Sequence, residues 1–398
     1  MKINAKLSHR IAMFFMASLL AFTFYSCSSD DEEERKEPAK KTASESFSKA
    51  ISTLKAVEGI NGVFTVEYTG EYNIDDAVKS NLKTSSELLS YLTKKIPTWK
   101  TQKDFVSPLK INVQGAACSS IVAENATEGA SGYIYGRNFD WEPGNSLIVH
   151  TKPDSGYEAV STCYLLFLTE KADWTPQNNA EKDAIALGGI YVPMDGMNEK
   201  GLYIANLNDN IDAVMPSNPD AGKNSVQTTV AIRYILDKCA SVDEAVKFLE
   251  GINMYPVFAD KEKSSGKKYP AYHFAIADST GKSIVAEWVD EKLEVTETKV
   301  VTNHNLAKEE NSPTTGDDRN HGTFRRFDSL KAAGEAKKWK MTSEDVKNAL
   351  EEVQQKSSVW SVIFEPSAKR ATYYFRNPNA SDDSKEPIDY TKPVVVQF

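Results

Sequence analysis

The stretch QGAACSSIVAEN (residues 114–125) sets a thiol, Cys118, among small side chains: Ala116, Ala117, Ser119 and Ser120 surround it, and the apolar run Ile121-Val122-Ala123 follows. Small neighbours let a reacting group approach the sulfur. A thiol nucleophile also needs a base, positive charge nearby and donors for the oxyanion it creates. Histidine is the usual base, and the chain has five. His9 lies in an N-terminal apolar segment, His150 and His273 fall in strand-like runs, and His304 and His321 flank NLAKEENSPTTGDDRN. A papain-type Cys–His pair is one option, but the local signature that flanks such a cysteine is absent. His304 and His321 lack the HExxH or CxxC spacing of a metal site. Neither a metal nor an organic cofactor is expected. A second source of base is a cut between Ala117 and Cys118. The freed α-amino group, with an ordinary pKa of about 7.7–8.0, can take the thiol proton. Gly115-Ala116-Ala117 offers the uncrowded peptide bond that such a cut needs.

Other polar residues stand in strand-like surroundings. In YGRNFDW (135–141), a turn between Gly129 and Gly132 would return Arg137 and Asp140 alongside Cys118. The guanidinium would favour the thiolate and the carboxylate would hold the ammonium; the same two residues could instead be an ion pair on an edge strand. Asn208 closes the run GMNEKGLYIANLN, and Asn303 stands at the end of TKVVTN. Asparagine at a strand end is often a turn former, and its amide can also serve as an oxyanion donor. Arg325 and Arg326 enter a helical pattern in GTFRRFDSLKAA, where adjacent arginines commonly face solvent.

Periodicity supplies the elements that must hold these residues. Phe47, Ile51, Leu54 and Val57 recur at helical spacing, as do Leu82, Leu88, Leu89, Leu92 and Ile96; GVFTVEYTG (62–70) alternates between them as a strand. From Cys118 onward, β-branched and aromatic runs are broken by Gly, Asn, Asp or Pro, among them TCYLLFLTE and AIALGGIYVPMDGMNEKGLYIANLN. Two helical blocks interrupt them. TTVAIRYILDKCASVDEAVKFLEGI reads as two helices with Ser241 capping the second. The other block runs from Thr323 to about Val353, with Thr342-Ser343-Glu344-Asp345 starting its second half. Many antiparallel strands with grouped helices predict an α+β fold of layered sheets covered by helices.

The net charge of −9 over 398 residues, with no basic stripe, argues against nucleic acid as a partner. Lys2, Lys6 and Arg10 precede the apolar run Ile11–Tyr25 and then Ser26-Cys27, which reads as a secretory signal with a lipobox. Cys27 is expected to carry lipid and anchor an exported protein to the outer membrane, on its periplasmic or surface face. The apolar run is shorter than the roughly 20 residues of a membrane span. The charged segment that follows cannot form a core and reads as a tether. Cys118, Cys163 and Cys239 remain, an odd number that excludes a disulfide framework. The expected divisions are a signal at 1–27, a tether at 28–45, a pro-segment at 46–117 and a catalytic domain at 118–398.

Together, CSSIVAEN, GRNFDW, GMNEKGLYIANLN, VVTNHN, RRF and WSVIFEP…YYFRNP resemble the choloylglycine hydrolase family of N-terminal-nucleophile amidases, in order and spacing, from Cys118 to about Pro378. That family includes bile salt hydrolases and penicillin V acylases and is related to N-acylethanolamine-hydrolysing acid amidase and acid ceramidase. The resemblance implies a four-layer αββα sandwich of antiparallel sheets preceded by a small mixed α/β pro-segment. It implies Cys118 as nucleophile and, through its amine, base, with Arg137 and Asp140 beside it. Asn208 would be an oxyanion donor, Asn303 would hold the amine and the bound carbonyl, and Arg326 would be the late arginine, with Arg325 its rival. Ser119 replaces the threonine that commonly follows the nucleophile. The 90 residues of 28–117 are closer to the acid amidase branch, and GMNEKGL is closer to the bile salt branch. The expected substrate is a small-molecule linear amide with an apolar acyl group, either a conjugated bile salt or an N-acylethanolamine-type lipid; penicillin V is the alternative. A homo-oligomer is allowed. A non-catalytic binding lipoprotein of this fold could dispense with Cys118, Arg137 or Asp140, and this chain keeps all three.

Overall fold

In the computed structural model, residues 43–97, 117–169, 174–176, 180–212, 214–257, 270–308, 319–376 and 392–398 are described. The signal region with Cys27, the tether up to residue 42 and the approach to Ala117 lie outside them. The β-branched and aromatic runs pair into two large sheets. The first has nine strands in the order β1 (Lys55–Ala56), β2 (Val63–Thr69), β5 (Ser146–Lys152), β6 (Ala159–Tyr164), β7 (Asp195–Asn198), β8 (Tyr203–Asp212), β11 (Pro270–Ala277), β12 (Ser283–Val289) and β13 (Lys292–Glu297). The second runs β14 (Val300–Val301), β3 (Ala117–Asn125), β4 (Tyr133–Asp140), β16 (Ser358–Glu365), β17 (Arg370–Phe375) and β18 (Val394–Gln397), with β15 (Lys340–Met341) also beside β3. A short parallel pair, β9 (Asn224–Gln227) and β10 (Ile252–Tyr255), stands apart.

The two sheets meet face to face. Tyr203 of the first stacks on Tyr135 of the second with ring centres 5.2 Å apart, and its hydroxyl lies 2.9 Å from the Ser120 hydroxyl. Trp360 Nε1 donates across the same interface to Asp195 Oδ2 at 3.0 Å. Nine helices are described: α1 (Ala43–Thr53), α2 (Ile74–Lys79), α3 (Ser85–Lys95), α4 (Leu166–Thr169), α5 (Ala180–Ala186), α6 (Thr228–Lys238), α7 (Val242–Glu250), α8 (Arg319–Ala336) and α9 (Ser343–Glu352). α8 and α9 cover the outer face of the second sheet, where Leu330, Val346 and Leu350 share one buried cluster with Ile121, Ala123, Ile134 and Ile363. α6 covers the first sheet at Gly196, where a side chain would meet Leu236 Cδ1 at 2.8 Å. The layers are therefore αββα. Ser241 caps α7 by accepting from Glu244 N, and Thr342 opens α9 with a reciprocal capping box.

Two stretches expected as strands are helical. LFLT forms α4, and AIALGGIY forms the end of α5 followed by a 3-10 turn over Leu187–Tyr191. Leu165–Leu168 and Ala184–Tyr191 are buried throughout, and an all-apolar segment has no polar face whose period would distinguish helix from strand. Residues 43–97 belong to the same fold. Helix α1 starts at Ala43, and β2 extends the first sheet by pairing parallel to β5 from Val63 with Ser146 to Thr69 with Lys152.

Candidate active site

β3 and β4 form the expected hairpin, closed by a turn in which Gly129 and Gly132 take positive φ. The register sets Ala117 opposite Asp140, Cys118 opposite Phe139 and Ser120 opposite Arg137. β4 is not an edge strand, since it lies between β3 and β16, and Arg137 is wholly buried. The alternative of an edge ion pair between Arg137 and Asp140 is thus corrected: Arg137 is internal, and its carboxylate partner is Asp195. Arg137 Nε faces Asp195 Oδ2 at 3.1 Å, Nη1 donates to the Met194 carbonyl at 2.8 Å, and Nη2 donates to the Asn206 carbonyl at 2.7 Å. The remaining direction of Nη2 points at Cys118 Sγ, 3.6 Å away. Burial alone would lower the Arg137 pKa, but Asp195, the Cys118 sulfur and Tyr203 together hold it above its ordinary value.

The Cys118 backbone N–H donates to Asn303 Oδ1 at 2.7 Å. Arg326 Nη2 donates to the same oxygen at 2.8 Å, while its Nη1 donates to Ser119 Oγ at 2.8 Å and to the Cys118 carbonyl. Arg326 is buried and Arg325 is exposed, so helix phase places Arg326 at the Cys118 main chain. Asn303 Nδ2 donates to the backbone carbonyl of Asn208 at 2.7 Å. Asn208 thus reaches the cluster through its main chain, and it lies inside β8 rather than at the strand end.

Asp140 is fully buried. Its Oδ1 accepts from Ser358 Oγ, and its Oδ2 has no hydrogen-bond partner among the described residues. Desolvation raises its pKa to about 6 against the opposing pull of Arg326, Ser358 and Arg137. Burial likewise pushes the Cys118 thiol above its ordinary value, further than Arg137 draws it down. While the Cys118 nitrogen is an amide, the balance favours the neutral thiol. The peptide bond before it is enclosed, with Ala117 0% and Cys118 3% exposed.

The structure gathers Cys118, Arg137, Asp140, Asn303 and Arg326 around one sulfur and brings Asn208 against Asn303. Sequence reasoning missed Asp195, Ser358 and Thr323, which hold Arg137, Asp140 and the Asn303 backbone respectively. Asp195 had a readable signal, because an acidic residue inside the apolar run YVPMDGM needs a buried cation. His304 packs on Phe324 with ring centres 4.3 Å apart, and burial lowers its pKa to about 4. It is a neutral core imidazole, and no contact joins it to the sulfur among the described residues. A groove of about 440 Å³, lined by apolar Met254, Pro256 and Trp288 and by charged Asp290, Glu291 and Lys308, reaches Tyr272, the strand partner of Asn208.

Comparisons with known proteins give resemblances over part of the chain. The model of linear amide C–N hydrolases, choloylglycine hydrolase family, matches residues 118–306. A penicillin V acylase from Pectobacterium atrosepticum is 33% identical over 119 residues, 29% of this chain and 31% of that one. A bile salt hydrolase/transferase from Clostridium perfringens is 33% identical over 120 residues, 30% of this chain and 33% of that one. The chain spans about a third of the length of these curated relatives. Among solved structures, a conjugated bile acid hydrolase from Clostridium perfringens aligns at a TM-score of 0.44 and 19% identity, covering 71% of this chain and 97% of that one. A penicillin V acylase from Agrobacterium tumefaciens aligns at 0.42 and 18%, covering 66% and 84%.

Proposed function

The chain resembles the choloylglycine hydrolase family of linear amide C–N hydrolases over residues 118–306, and on that premise we propose that it hydrolyses N-acyl amides through Cys118 after cutting itself before that residue. The observation that carries the reading is the position of the Cys118 nitrogen. It sits on Asn303 Oδ1 at 2.7 Å while the sulfur of the same residue faces the Arg137 guanidinium. An amide nitrogen held there becomes, once freed, a base fixed beside its own thiol. In the cut, Sγ adds to the Ala117 carbonyl, the thiol proton passes to the Cys118 nitrogen as the C–N bond breaks and the acyl group moves to sulfur, and water then hydrolyses the thioester to release the Ala117 carboxylate and restore the thiol. The enclosed bond is poorly placed for an outside protease, which takes exposed, mobile segments. In turnover the amine accepts the thiol proton and Sγ attacks the substrate carbonyl. The leaving amine takes that proton, and water hydrolyses the thioester. The unpartnered Asp140 Oδ2 supplies a carboxylate oxygen for the new ammonium.

The substrate reading is an amide with a bulky apolar acyl part, either a conjugated bile salt or an N-acylethanolamine-type lipid. Penicillin V is the second reading, because the penicillin V acylase relative is as similar to this chain as the bile salt relative. Export and lipidation at Cys27 belong to the same proposal; Cys27→Ala should then shift the protein from membrane to soluble fractions. Purified protein is tested against glycocholate, N-palmitoylethanolamine and penicillin V, with N-terminal sequencing of the large fragment. That fragment, residues 118–398, should start at Cys118 and weigh roughly 31 of the 44.2 kDa. Cys118→Ala should stay whole and inactive. A fully active protein still joined at Ala117–Cys118 would overturn the mechanism, since its nitrogen would accept no proton.

A further inference from the structure

A second group of buried charges lies behind Asn303. His273 on β11 and Glu287 on β12 are both fully enclosed, and Asp209 of β8 stands close to them. His273 Nδ1 meets Glu287 Oε1 at 2.9 Å, and its Nε2 meets the Thr302 carbonyl at 2.8 Å. Glu287 accepts from Leu306 N at 3.0 Å and from Ala307 N at 2.9 Å. One ion pair therefore grips the chain on both sides of Asn303, by a carbonyl just before it and by two N–H groups just after it. Asp209 Oδ2 joins the grip by accepting from Asn305 Nδ2 at 3.0 Å.

Asp209, His273 and Glu287 are close enough together to suggest a metal centre, with ligand atoms within 4.8 Å of one another. Hydrogen bonding points elsewhere. A carbonyl oxygen can only accept, so Nε2 carries a proton, and Nδ1 faces a carboxylate. With both nitrogens engaged, the imidazole has no lone pair to offer. Burial alone would lower the His273 pKa, but the bond to Glu287 and the nearby Asp209 raise it. Burial would raise that of Glu287, yet His273 and the two backbone N–H groups lower it. Both shifts describe a charged pair.

We propose that His273 and Glu287 are positioning residues that hold the 302–307 segment so that the Asn303 amide meets the Cys118 nitrogen. The inference rests on the amidase reading above. Neither residue touches the sulfur; each acts through the main chain that carries Asn303. The reach is long in sequence, since β11 and β12 belong to the sheet opposite Cys118.

The test is a double-mutant cycle in the full chain, read by initial rates on glycocholate, N-palmitoylethanolamine and penicillin V and by the rate of scission on gels. His273→Gln should lower kcat and scission by about 10- to 100-fold, with KM held within about threefold. In an Asn303→Ala background the same change should cost less than about threefold, because the amide it positions is already gone. Glu287→Gln, isosteric and still an acceptor, repeats the measurement should the His273 variant fail to accumulate. Losses that multiply independently, or either single variant with the wild-type kcat, overturn the positioning role. A wild-type protein that neither cuts itself nor hydrolyses any of the three probes overturns the amidase reading instead, so the two failures are distinct.

Discussion

At Asp140 the site works against the fold. The carboxyl is enclosed, one oxygen has no partner among the described residues, and desolvation raises its pKa to about 6 from an ordinary 3.8. Below pH 3.8 both folded and unfolded chains hold the proton, and the group makes no difference. Between 3.8 and about 6 the unfolded chain releases it while the folded chain keeps it, so stability falls as pH rises and the full cost stands above 6. In an uncut Cys118→Ala background, Asp140→Asn should therefore stabilise the protein by about 1–3 kcal/mol at pH 7.5 and by almost nothing at pH 3.5. Urea unfolding at the two pH values reads the difference, and an equal effect at both would deny the raised pKa. Cys118, Arg137 and Asp140 were legible as a cluster because a short hairpin joins them. Arg326 could not be told from Arg325, because one step of helix phase decides which of them turns inward. Asp195 is separated from Arg137 by 57 intervening residues, and only the meeting of the two sheets makes them partners.

Among the elements, those with polar punctuation were legible. Ser241 and Thr342 mark the starts of α7 and α9 because their hydroxyls satisfy backbone donors that any helix leaves open. α4 and α5 carry no comparable signal, and their apolar runs fit a buried strand as well as a buried helix. The seat of α9 was also hidden, since it depends on a missing side chain. Gly136 on β4 faces that helix, and a Cβ there would lie 2.5 Å from Val346 Cγ1, 3.1 Å from Leu350 Cδ1 and 3.2 Å from Ile121 Cγ2. Contacts below 3 Å force a shift, and overpacking of this kind costs about 1–3 kcal/mol. Gly136→Ala should lower the urea midpoint accordingly with an unchanged slope. An unaltered midpoint would mean that α9 rests loosely on the strand that carries Arg137.

Across the whole molecule, residues 43–97 are built into the body. Their strand β2 is hydrogen-bonded to β5, Tyr72 donates from its hydroxyl to Asp237 Oδ2 at 2.5 Å, and Lys238 pairs with Asp75 at 3.0 Å. Phe47, Val66, Tyr68, Tyr72, Ile74 and Leu92 lie in the same buried cluster as the rest of the first sheet. After scission the smaller piece should therefore stay attached. Gel filtration should show both fragments in one peak, parting only in denaturant; a large fragment that elutes alone and stays folded would contradict this. The sequence disclosed α1, α3 and β2 but neither α2 nor β1, which replaces the expected helix beyond Thr53, and it did not disclose the partners, because a seven-residue strand says nothing about which edge it will join. The parallel pairing of β2 with β5 also sets a clock on synthesis. Thr69 emerges from the ribosome 83 residues before its partner Lys152, an interval of roughly 4–17 s at about 5–20 residues per second. Throughout that wait VFTVEYT has only the two-residue β1 beside it and one open edge, and nascent-chain aggregation should be most acute in precursors halted between those two positions.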